Sequence, residues 1–334
     1  MPIDQDGNDI SYFSTVKFGS SNKPLRMLLD TGAANSWVMG ADCTTKACEK
    51  HDTYSGTGST AYATTGTDWS VSYGTGSVSG QVVTDTVSFA GFTIPLSFGS
   101  ATVASDEFTT YPMDGILGLG RTGKSEAKLT TVMGQLAEQG SIKNNLFAMS
   151  LSRGADGGTD GEITFGDYNK AKVSGDIVYT DTVTNDGLWE IPLDNAGVDG
   201  KPGKFTGKSA IIDSGTSYIL LPTADAQKLH DLIPGSKKVG EAFHLPCSNT
   251  KAIQLTFSGK SFDISPKDYM GAKGSDGNCV SNIAAHQAFG DDQWLIGDTY
   301  LKGVYTIFDL DKHRIGKIPN LSQSDRRTTA DMSD

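Results

Sequence analysis

Apolar and β-branched residues occur along most of the chain in short runs, which Gly, Ser, Asn and Asp separate. This pattern is typical of strands joined by turns. Helical periodicity is sparse; its best stretches are 129–139 and 223–232, the second with Pro222 and Thr223 at a favourable helix start. We therefore predict a mainly β protein with a few short helices, its clearest strands being 13–18, 26–29, 69–73, 77–89, 162–165 and 305–310.

An internal repeat divides the chain. Leu28-Leu29-Asp30-Thr31-Gly32 is echoed by Ile211-Ile212-Asp213-Ser214-Gly215, and Ile116-Leu117-Gly118 is echoed by Leu295-Ile296-Gly297. Gly118 follows Asp30 by 88 positions and Gly297 follows Asp213 by 84. Two matches at nearly equal spacing predict two copies of one β domain, joined near residues 166–175. We place the first lobe at 1–168, the second at 169–320, and a polar, disordered tail at 321–334.

Size and charge limit the possible partners. The chain has 334 residues, enough for two domains, and a formal net charge of −11. That charge would repel nucleic acid and anionic membranes, so we expect neither as a partner. No stretch has the apolar length of a membrane span. The first residues lack the basic and hydrophobic regions of a signal peptide, so a secreted form is expected to have lost its targeting segment.

Four cysteines lie in two local pairs. Cys43 and Cys48 are five positions apart, and Cys247 and Cys279 lie together in the second half. Bridges Cys43–Cys48 and Cys247–Cys279 would suit an oxidising compartment, and four free buried thiols are the alternative. The cysteines and five histidines show no metal-ligand spacing, so no metal site is expected.

Each Asp-Thr/Ser-Gly follows an apolar run, where a buried strand ends in a turn that glycine makes tight. A single copy would be read as a surface turn, but two copies behind paired aliphatic residues favour a site. Carboxylates delivered from two related domains would meet at their interface, and two such groups cannot both ionise cheaply. One can then take a proton from water while the other hydrogen-bonds a carbonyl. Asp30 and Asp213 are therefore the predicted catalytic pair.

A set of motifs in order and spacing resembles the pepsin-like family of aspartic endopeptidases. The resemblance spans roughly residues 10–319 and rests on segments 29–32, 72–77, 113–118, 212–217 and 294–298. It implies two β-barrel-like lobes flanking a deep cleft, with one catalytic aspartate from each. Strands around 165–179 and near the C-terminus would join the lobes. The short segment between Cys43 and Cys48 and the single late disulfide resemble fungal members.

The resemblance also implies roles for individual residues. Gly74 and Thr75 would form the tip of a flap, whose Tyr73 closes over the site and receives a hydrogen bond from Trp37. Thr31 and Ser214 would bond across the lobe interface. The remaining residues that the resemblance places against substrate are Gly32, Gly215, Thr216, Leu28, Phe108 and Ile116. The aromatic and aliphatic members of this set could also be plain strand or core residues.

Two positions depart from the family pattern. Ala33 stands where the family commonly has a serine that bonds the neighbouring aspartate. Without that bond to the charged form the pKa of the pair should rise, which predicts an optimum less acidic than that of pepsin. Thr75 stands where some fungal relatives that accept lysine carry Asp, which predicts a preference for large apolar residues.

Other signals are discounted. Ser214 as a serine nucleophile lacks a histidine in a suitable context. Residues 4–9 resemble the start of a calcium loop but lack its later ligands, so we predict a solvated leader. The sequon at Asn320 would carry a glycan if the protein is secreted.

The predicted protein is thus a monomeric aspartic endopeptidase without a cofactor, secreted or vacuolar, acting on peptides and proteins and sensitive to pepstatin-type inhibitors. The absence of a prosegment before Ser11 predicts a mature form of a zymogen. The alternative is a pepsin-like protein that has lost catalysis and serves as a binder or inhibitor.

Overall fold

The computed structural model describes residues 1–20, 23–121, 129–185 and 187–319. The predicted tail and the sequon at Asn320 lie outside these residues. In the first part of the chain a single eight-stranded sheet forms, in the order β1-β2-β3-β8-β4-β7-β6-β5. Its strands are β1 (Asp4–Gln5), β2 (Tyr12–Phe18), β3 (Pro24–Asp30), β4 (Trp37–Met39), β5 (Ala63–Tyr73), β6 (Gly76–Phe89), β7 (Phe92–Ala104) and β8 (Gly115–Gly118).

Eighteen further strands follow in the described residues. They are β9 (Leu146–Ser150), β10 (Glu162–Phe165), β11 (Val178–Asp181), β12 (Glu190–Leu193), β13 (Asn195–Val198), β14 (Lys201–Pro202), β15 (Lys208–Ile212), β16 (Ile219–Leu221), β17 (Lys237–Val239), β18 (Ala242–Leu245), β19 (Ile253–Phe257), β20 (Lys260–Ile264), β21 (Met270–Lys273), β22 (Cys279–Ser281), β23 (Ile283–Ala285), β24 (Gln293–Ile296), β25 (Val304–Asp309) and β26 (Arg314–Pro319). Three sheets of the second half have the orders β12-β15-β24-β16-β23, β14-β13-β19-β20 and β17-β18-β22-β21.

The helices are short. They are α1 (Lys46–Lys50), α2 (Val132–Glu138), α3 (Thr223–His230), α4 (Pro266–Tyr269) and α5 (Asp298–Leu301), with 3-10 turns at Asp106–Thr110, Gly154–Asp156 and Lys170–Lys172. α3 begins directly after Pro222, as predicted, because proline fixes a suitable backbone angle at a helix start. Within the described ranges, no helix combines the length and the apolar character needed to cross a membrane. The prediction of a mainly β fold with few short helices is confirmed.

A fifth sheet connects the two halves. Its order is β10-β9-β25-β26-β11, so strands from the middle of the chain pair with the last two strands. Every residue of β25 is buried, because the strand lies between two neighbours in the sheet and is covered on both faces. The division of the chain at residue 168 stays a prediction.

The repeat seen in the sequence corresponds to one strand arrangement formed twice. β3 pairs in parallel with β8, and Asp30 lies opposite Gly118. β15 pairs in parallel with β24, and Ile212 lies opposite Ile296. A third strand completes each arrangement. In the first half β4 runs antiparallel to β8, and in the second half β16 runs antiparallel to β24. Each half therefore ends a buried strand at an aspartate and holds it against the strand of the second motif.

Residues 4–9, predicted as a solvated leader, are exposed or half-buried, but they are bound to the rest of the fold. Asp4 and Gln5 pair with β2, and the neighbouring Ile3 is buried. The carboxylate of Asp9 accepts a hydrogen bond from the amide of Gly154 at 2.6 Å and lies 3.6 Å from the ammonium group of Lys302. The polar sequence gave no indication that the segment follows a buried residue, Ile3, or that the carboxylate of Asp9 contacts Gly154 and Lys302.

Candidate active site

The carboxylates of Asp30 and Asp213 adjoin at the floor of one cleft. The amide of Gly32 donates to Oδ1 of Asp30 at 2.8 Å and to Oδ1 of Asp213 at 3.0 Å. The amide of Gly215 donates to Oδ1 of Asp213 at 2.9 Å. Both aspartates are nearly buried, with 6% and 8% of their surface exposed. One backbone group thus links the two carboxylates that the sequence predicts as a pair.

The two glycines beside the pair leave no room for a side chain. A Cβ on Gly32 would lie 2.6 Å from Oδ1 of Asp213, and a Cβ on Gly215 would lie 2.5 Å from Cγ of Asp30. Real Cβ atoms do not approach other atoms so closely. Glycine is therefore needed at both positions so that each backbone can approach the other lobe's carboxylate.

Burial and proximity change the protonation of the pair. Burial, and after it the negative charge of Asp213, raise the pKa of Asp30 well above its usual value. The amides of Gly32 and Ala33 oppose this rise because they hydrogen-bond the charged form. Asp30 is therefore the member of the pair that holds a proton to higher pH than an ordinary aspartate.

Thr31 and Ser214 form matching hydrogen bonds across the lobe interface. The hydroxyl of Thr31 donates to the carbonyl of Ile212 at 2.9 Å and accepts from the amide of Ser214 at 3.0 Å. The hydroxyl of Ser214 donates to the carbonyl of Leu29 at 2.7 Å and accepts from the amide of Thr31 at 3.2 Å. Each loop therefore completes the backbone hydrogen bonding of the other, which fixes the distance between the aspartates.

A hairpin of β5 and β6 covers the cleft. Its strands pair up to Tyr73 and Gly76, which leaves Gly74 and Thr75 as the two-residue turn. The indole of Trp37 donates to the hydroxyl of Tyr73 at 2.8 Å. Burial, and then the charge of Asp30, raise the pKa of Tyr73, so its hydroxyl stays neutral. The residues predicted as flap tip, flap tyrosine and its partner are thus together at one end of this hairpin.

Apolar side chains form a wall beside the flap. The ring of Phe108 packs edge-on against Trp37 at 5.4 Å and against Tyr73 at 6.3 Å between ring centroids. Phe108, Leu28 and Ile116 all line the cleft, whose volume is about 1000 Å³. The other predicted contact residues Gly32, Gly74, Thr75, Gly215 and Thr216 also line it, whereas Thr31 and Trp37 lie behind the surface.

Sequence reasoning gave no role to Asp298. This residue starts α5, lines the cleft and is fully buried, and its Oδ1 has no hydrogen-bond partner among the described residues. Burial, and then the charge of Asp213, raise the pKa of Asp298. The available signal was its place directly after the second copy of the apolar-Gly motif, where the first copy has Leu119.

The sequence analysis also missed much of the cleft wall contributed by the second lobe. These residues follow β15 and β23 and carry no local motif, so only the fold brings them together. Those lining the cleft are Ser217, Tyr218, Leu220, His286, Gln287, Ala288 and Phe289. In the part of the chain that the structure describes, no group of three or more His, Cys, Asp or Glu is placed to hold a metal ion.

The two predicted disulfides are confirmed. Cys43 is bonded to Cys48, and Cys247 to Cys279. The first bridge ties α1 to the chain before it, beside the 3-10 turn that carries Phe108. The alternative of four free thiols is excluded by these bonds.

Known proteins resemble this chain over nearly all of its length. Residues 11–319 match the family described as eukaryotic aspartyl protease. The chain is 47% identical over 317 residues to the aspartic-type endopeptidase ctsD of Aspergillus fumigatus, covering 94% of this chain and 66% of that protein. It is also 47% identical to a probable aspartic-type endopeptidase CTSD of Arthroderma benhamiae, covering 95% of this chain and 62% of that protein.

A more distant relative is cathepsin D of Dictyostelium discoideum, 32% identical over 327 residues, which are 95% of this chain and 85% of that protein. The chain thus spans slightly less than two thirds of the length of the two fungal proteins and most of the length of the cathepsin. These similarities confirm the predicted resemblance to pepsin-like proteins of fungi. The chain belongs to the eukaryotic aspartyl protease family.

Proposed function

We propose that this chain is an aspartic endopeptidase, which hydrolyses internal amide bonds of peptides and proteins at acidic pH. The observation that carries the proposal is the amide of Gly32, which hydrogen-bonds Asp30 at 2.8 Å and Asp213 at 3.0 Å. It joins two nearly buried carboxylates at the floor of a cleft large enough for an extended peptide.

The chemistry needs one proton on the pair. A water molecule held between the two carboxyl groups gives a proton to the ionised member and attacks the scissile carbonyl carbon. The protonated member hydrogen-bonds the carbonyl oxygen, so negative charge that develops there is stabilised. When the tetrahedral intermediate collapses, a proton passes from the pair to the leaving amine. Asp30, whose pKa burial and Asp213 raise, suits the protonated role in the resting pair.

The flap contributes binding and the exclusion of water. Gly74 and Thr75 expose backbone groups at the hairpin turn, and these can bond the backbone of a peptide below. The Trp37–Tyr73 hydrogen bond holds the tip end of the flap against the wall. Closure of this hairpin over substrate would remove bulk water from the reacting amide.

The wall favours large apolar substrate residues beside the scissile bond. Leu28, Phe108, Ile116 and Tyr73 present aliphatic and aromatic surface to the cleft, and Thr75 adds no charge. A peptide library should therefore show cleavage next to phenylalanine, tyrosine or leucine. Efficient cleavage after lysine would contradict this preference.

The same proposal extends to partners and location. A pepstatin-type inhibitor, which imitates the tetrahedral intermediate, should bind between the aspartates and the flap. Two disulfides suit a secreted or vacuolar protein. We propose a monomer that arises from a zymogen.

The decisive experiment is a pH series of cleavage on a denatured globular protein. It compares the wild type, the wild type with pepstatin, and Asp213→Asn. We expect acid-side activity that pepstatin abolishes and that Asp213→Asn lowers by at least about a thousandfold, because the pair loses its ionisable partner. The matched control is Asp263→Asn, an exposed carboxylate outside the cleft, which should keep the wild-type rate.

Two results would contradict the proposal. Activity that survives in Asp213→Asn and in pepstatin would mean that another group performs the hydrolysis. Tight peptide binding by folded wild type without turnover at any pH would favour the catalytically silent binding protein.

A further inference from the structure

The cleft contains one basic side chain among the residues that the structure describes. Three carboxylates line it, Asp30, Asp213 and Asp298, and its lining includes neither lysine nor arginine. The basic side chain is that of His286, on the wall contributed by the second lobe. Charge is therefore distributed unevenly along the cleft, with acid at the centre and a single base at the wall.

His286 is free to meet a substrate. It follows the last residue of β23 directly and is exposed, as are the three residues after it. Among the described residues its imidazole has no hydrogen-bond or ion-pair partner, unlike His51, His230, His244 and His313. The loop is fixed from both sides, because the amide of Ala285 donates to the carbonyl of Glu241 and the side chain of Gln287 donates to Asp291.

The surroundings do not supply a competing positive charge. Asp292 of the same loop is ion-paired with Lys208, which also holds Asp225. The titratable groups on the elements packed around His286 are Glu241 before β18 and His244 on it, Tyr218 before β16, Asp225, Lys228 and His230 on α3, and Asp291 and Asp292 in its own loop. Lys228 donates to the carbonyl of Lys204, while His230 and His244 are bonded to Ala226 and Asp276. The basic members of this set have partners of their own, so at this wall of the cleft His286 is the basic side chain of the lining that can meet a substrate carboxylate.

We propose that His286 is a specificity-determining residue that selects an acidic substrate side chain at one position flanking the scissile bond. This inference rests on the proposed endopeptidase function. A substrate carboxylate placed near the centre of the cleft meets the negative charge of the predicted catalytic pair, whereas one placed at His286 meets the basic side chain of the lining. The preference is therefore confined to one substrate position.

The pH range follows from ordinary side-chain chemistry. A histidine is cationic below about pH 6.5, and a glutamate is anionic above about pH 4.3. A free histidine and a free glutamate therefore both carry charge between about pH 4.3 and about pH 6.5. This interval lies within the acidic range of the proposed activity. Below the lower limit the substrate carboxyl becomes neutral, and the selection disappears.

The test uses short peptides with one Phe–Phe bond, in which either Glu or Gln is moved through each flanking position. For every position the ratio of kcat/KM for the Glu peptide to that for the Gln peptide is measured at about pH 5 and about pH 3. We expect a ratio of about three at one position at the higher pH, in keeping with an exposed ion pair, and a ratio of about one at the lower pH.

Two variants locate the effect. In His286→Gln the ratio at that position should fall to about one at both pH values. In His244→Gln, a surface histidine outside the cleft, the ratio should stay near three. Because each ratio is formed within one enzyme, a change in folding or total activity cancels.

A ratio near one at every position, or a preference that persists in His286→Gln, would overturn the inference while leaving the endopeptidase function intact. A wild type that cleaves none of the Gln peptides would overturn the proposed function, and this inference with it.

Discussion

The loop after β3 and the loop after β15 are alike over their first three residues and differ at the fourth. In each loop the aspartate is followed by a hydroxyl residue that bonds the other lobe and by a glycine whose amide bonds the aspartate. At the fourth position the hydroxyl of Thr216 donates to Oδ2 of Asp213 at 2.6 Å. Ala33 offers Asp30 only its amide, at 3.0 Å.

This difference separates what the fold requires from what can vary. The backbone path, the two glycines and the cross-lobe hydrogen bonds recur in both loops because they set the distance between the carboxylates. The fourth side chain touches only its own aspartate, so it can change the balance of charge without moving either group. The first loop therefore holds the less supported carboxylate, that of Asp30, whose pKa burial and then the charge of Asp213 raise.

The largest expected effect tests the shared part of the comparison. Gly32→Ala and Gly215→Ala should each lower kcat by between about a hundredfold and ten-thousandfold, because the new Cβ would push the opposite carboxylate away. Steady-state kinetics on one peptide, with circular dichroism to verify folding, measures this. Gly274→Ala, where the nearest atom belongs to an exposed side chain, is the control and should keep its activity.

If one glycine variant remained active while the other lost activity, the two glycines would not be equally necessary for holding the carboxylates. That result would contradict the proposed equivalence of the two loops.

The next effect contrasts a buried histidine in each lobe. In the second lobe His230 stacks on Phe243, its Nδ1 donates to the carbonyl of Ala226, and its Nε2 accepts from the hydroxyl of Ser281. Burial lowers the pKa of His230 to about 4. In the first lobe Nδ1 of His51 lies 3.5 Å from the carboxylate of Asp114, and the interaction with this carboxylate raises the pKa of His51.

The two histidines should therefore respond to acid in opposite senses. The unfolded chain protonates His230 near pH 6.5 but the folded chain near pH 4, so the free energy of unfolding should fall by about 2 kcal/mol from about pH 6.5 to pH 4.5. His51 contributes stability below about pH 6.5 and loses it as the pH rises through its raised folded pKa.

Denaturant unfolding at several pH values, in an Asp213→Asn background that prevents self-digestion, measures both slopes. His230→Gln should remove the loss of stability in acid, and His51→Gln should remove the loss towards neutral pH. An unchanged acid slope in His230→Gln would show that this histidine does not limit the acid stability of the second lobe.

The smallest effect changes the fourth residue itself. Ala33→Ser should place a hydroxyl donor on Asp30, favour its charged form and move the alkaline limb of kcat/KM, where the pair loses its proton, to lower pH by about half a unit. Thr216→Val removes the matching hydroxyl from Asp213 and should move the limb to higher pH. The pH profile of kcat/KM checks both variants, and a shift in the same direction for both would contradict the assigned difference.

The sequence predicted the parts of the fold that repeat or follow a strong pattern. Strand β10 has the predicted bounds, and α3 begins at the predicted residue, because alternating apolar residues and a proline are local signals. The helix α1 was missed because five residues carry too little periodicity. The pairing of Asp4 and Gln5 with β2 was not predicted, because two polar residues carry no strand pattern.

The same division applies to the site. Asp30 and Asp213 could be found because a duplicated motif marks them both. Asp298 had only a positional signal, directly after the second apolar-Gly motif, and His286 had none, because burial and the cleft wall are formed only by the folded chain. The local sequence indicates which residues lie at the end of a strand. The charges around a side chain depend on segments that are distant in sequence and come together only in the folded chain.

The hydrogen bonds of Thr31 and Ser214 join residues that lie 181 to 185 positions apart along the chain. Contacts of such long sequence separation are slow to form, because a large loop must close before they can form. The loss of chain entropy on closing that loop comes before the favourable free energy of the hydrogen bonds. The catalytic pair should therefore be assembled late in folding, after each half has its own core. A partly folded chain would have two separate aspartates, and if the proposed function holds, its own unfolded segments would be protected while it folds.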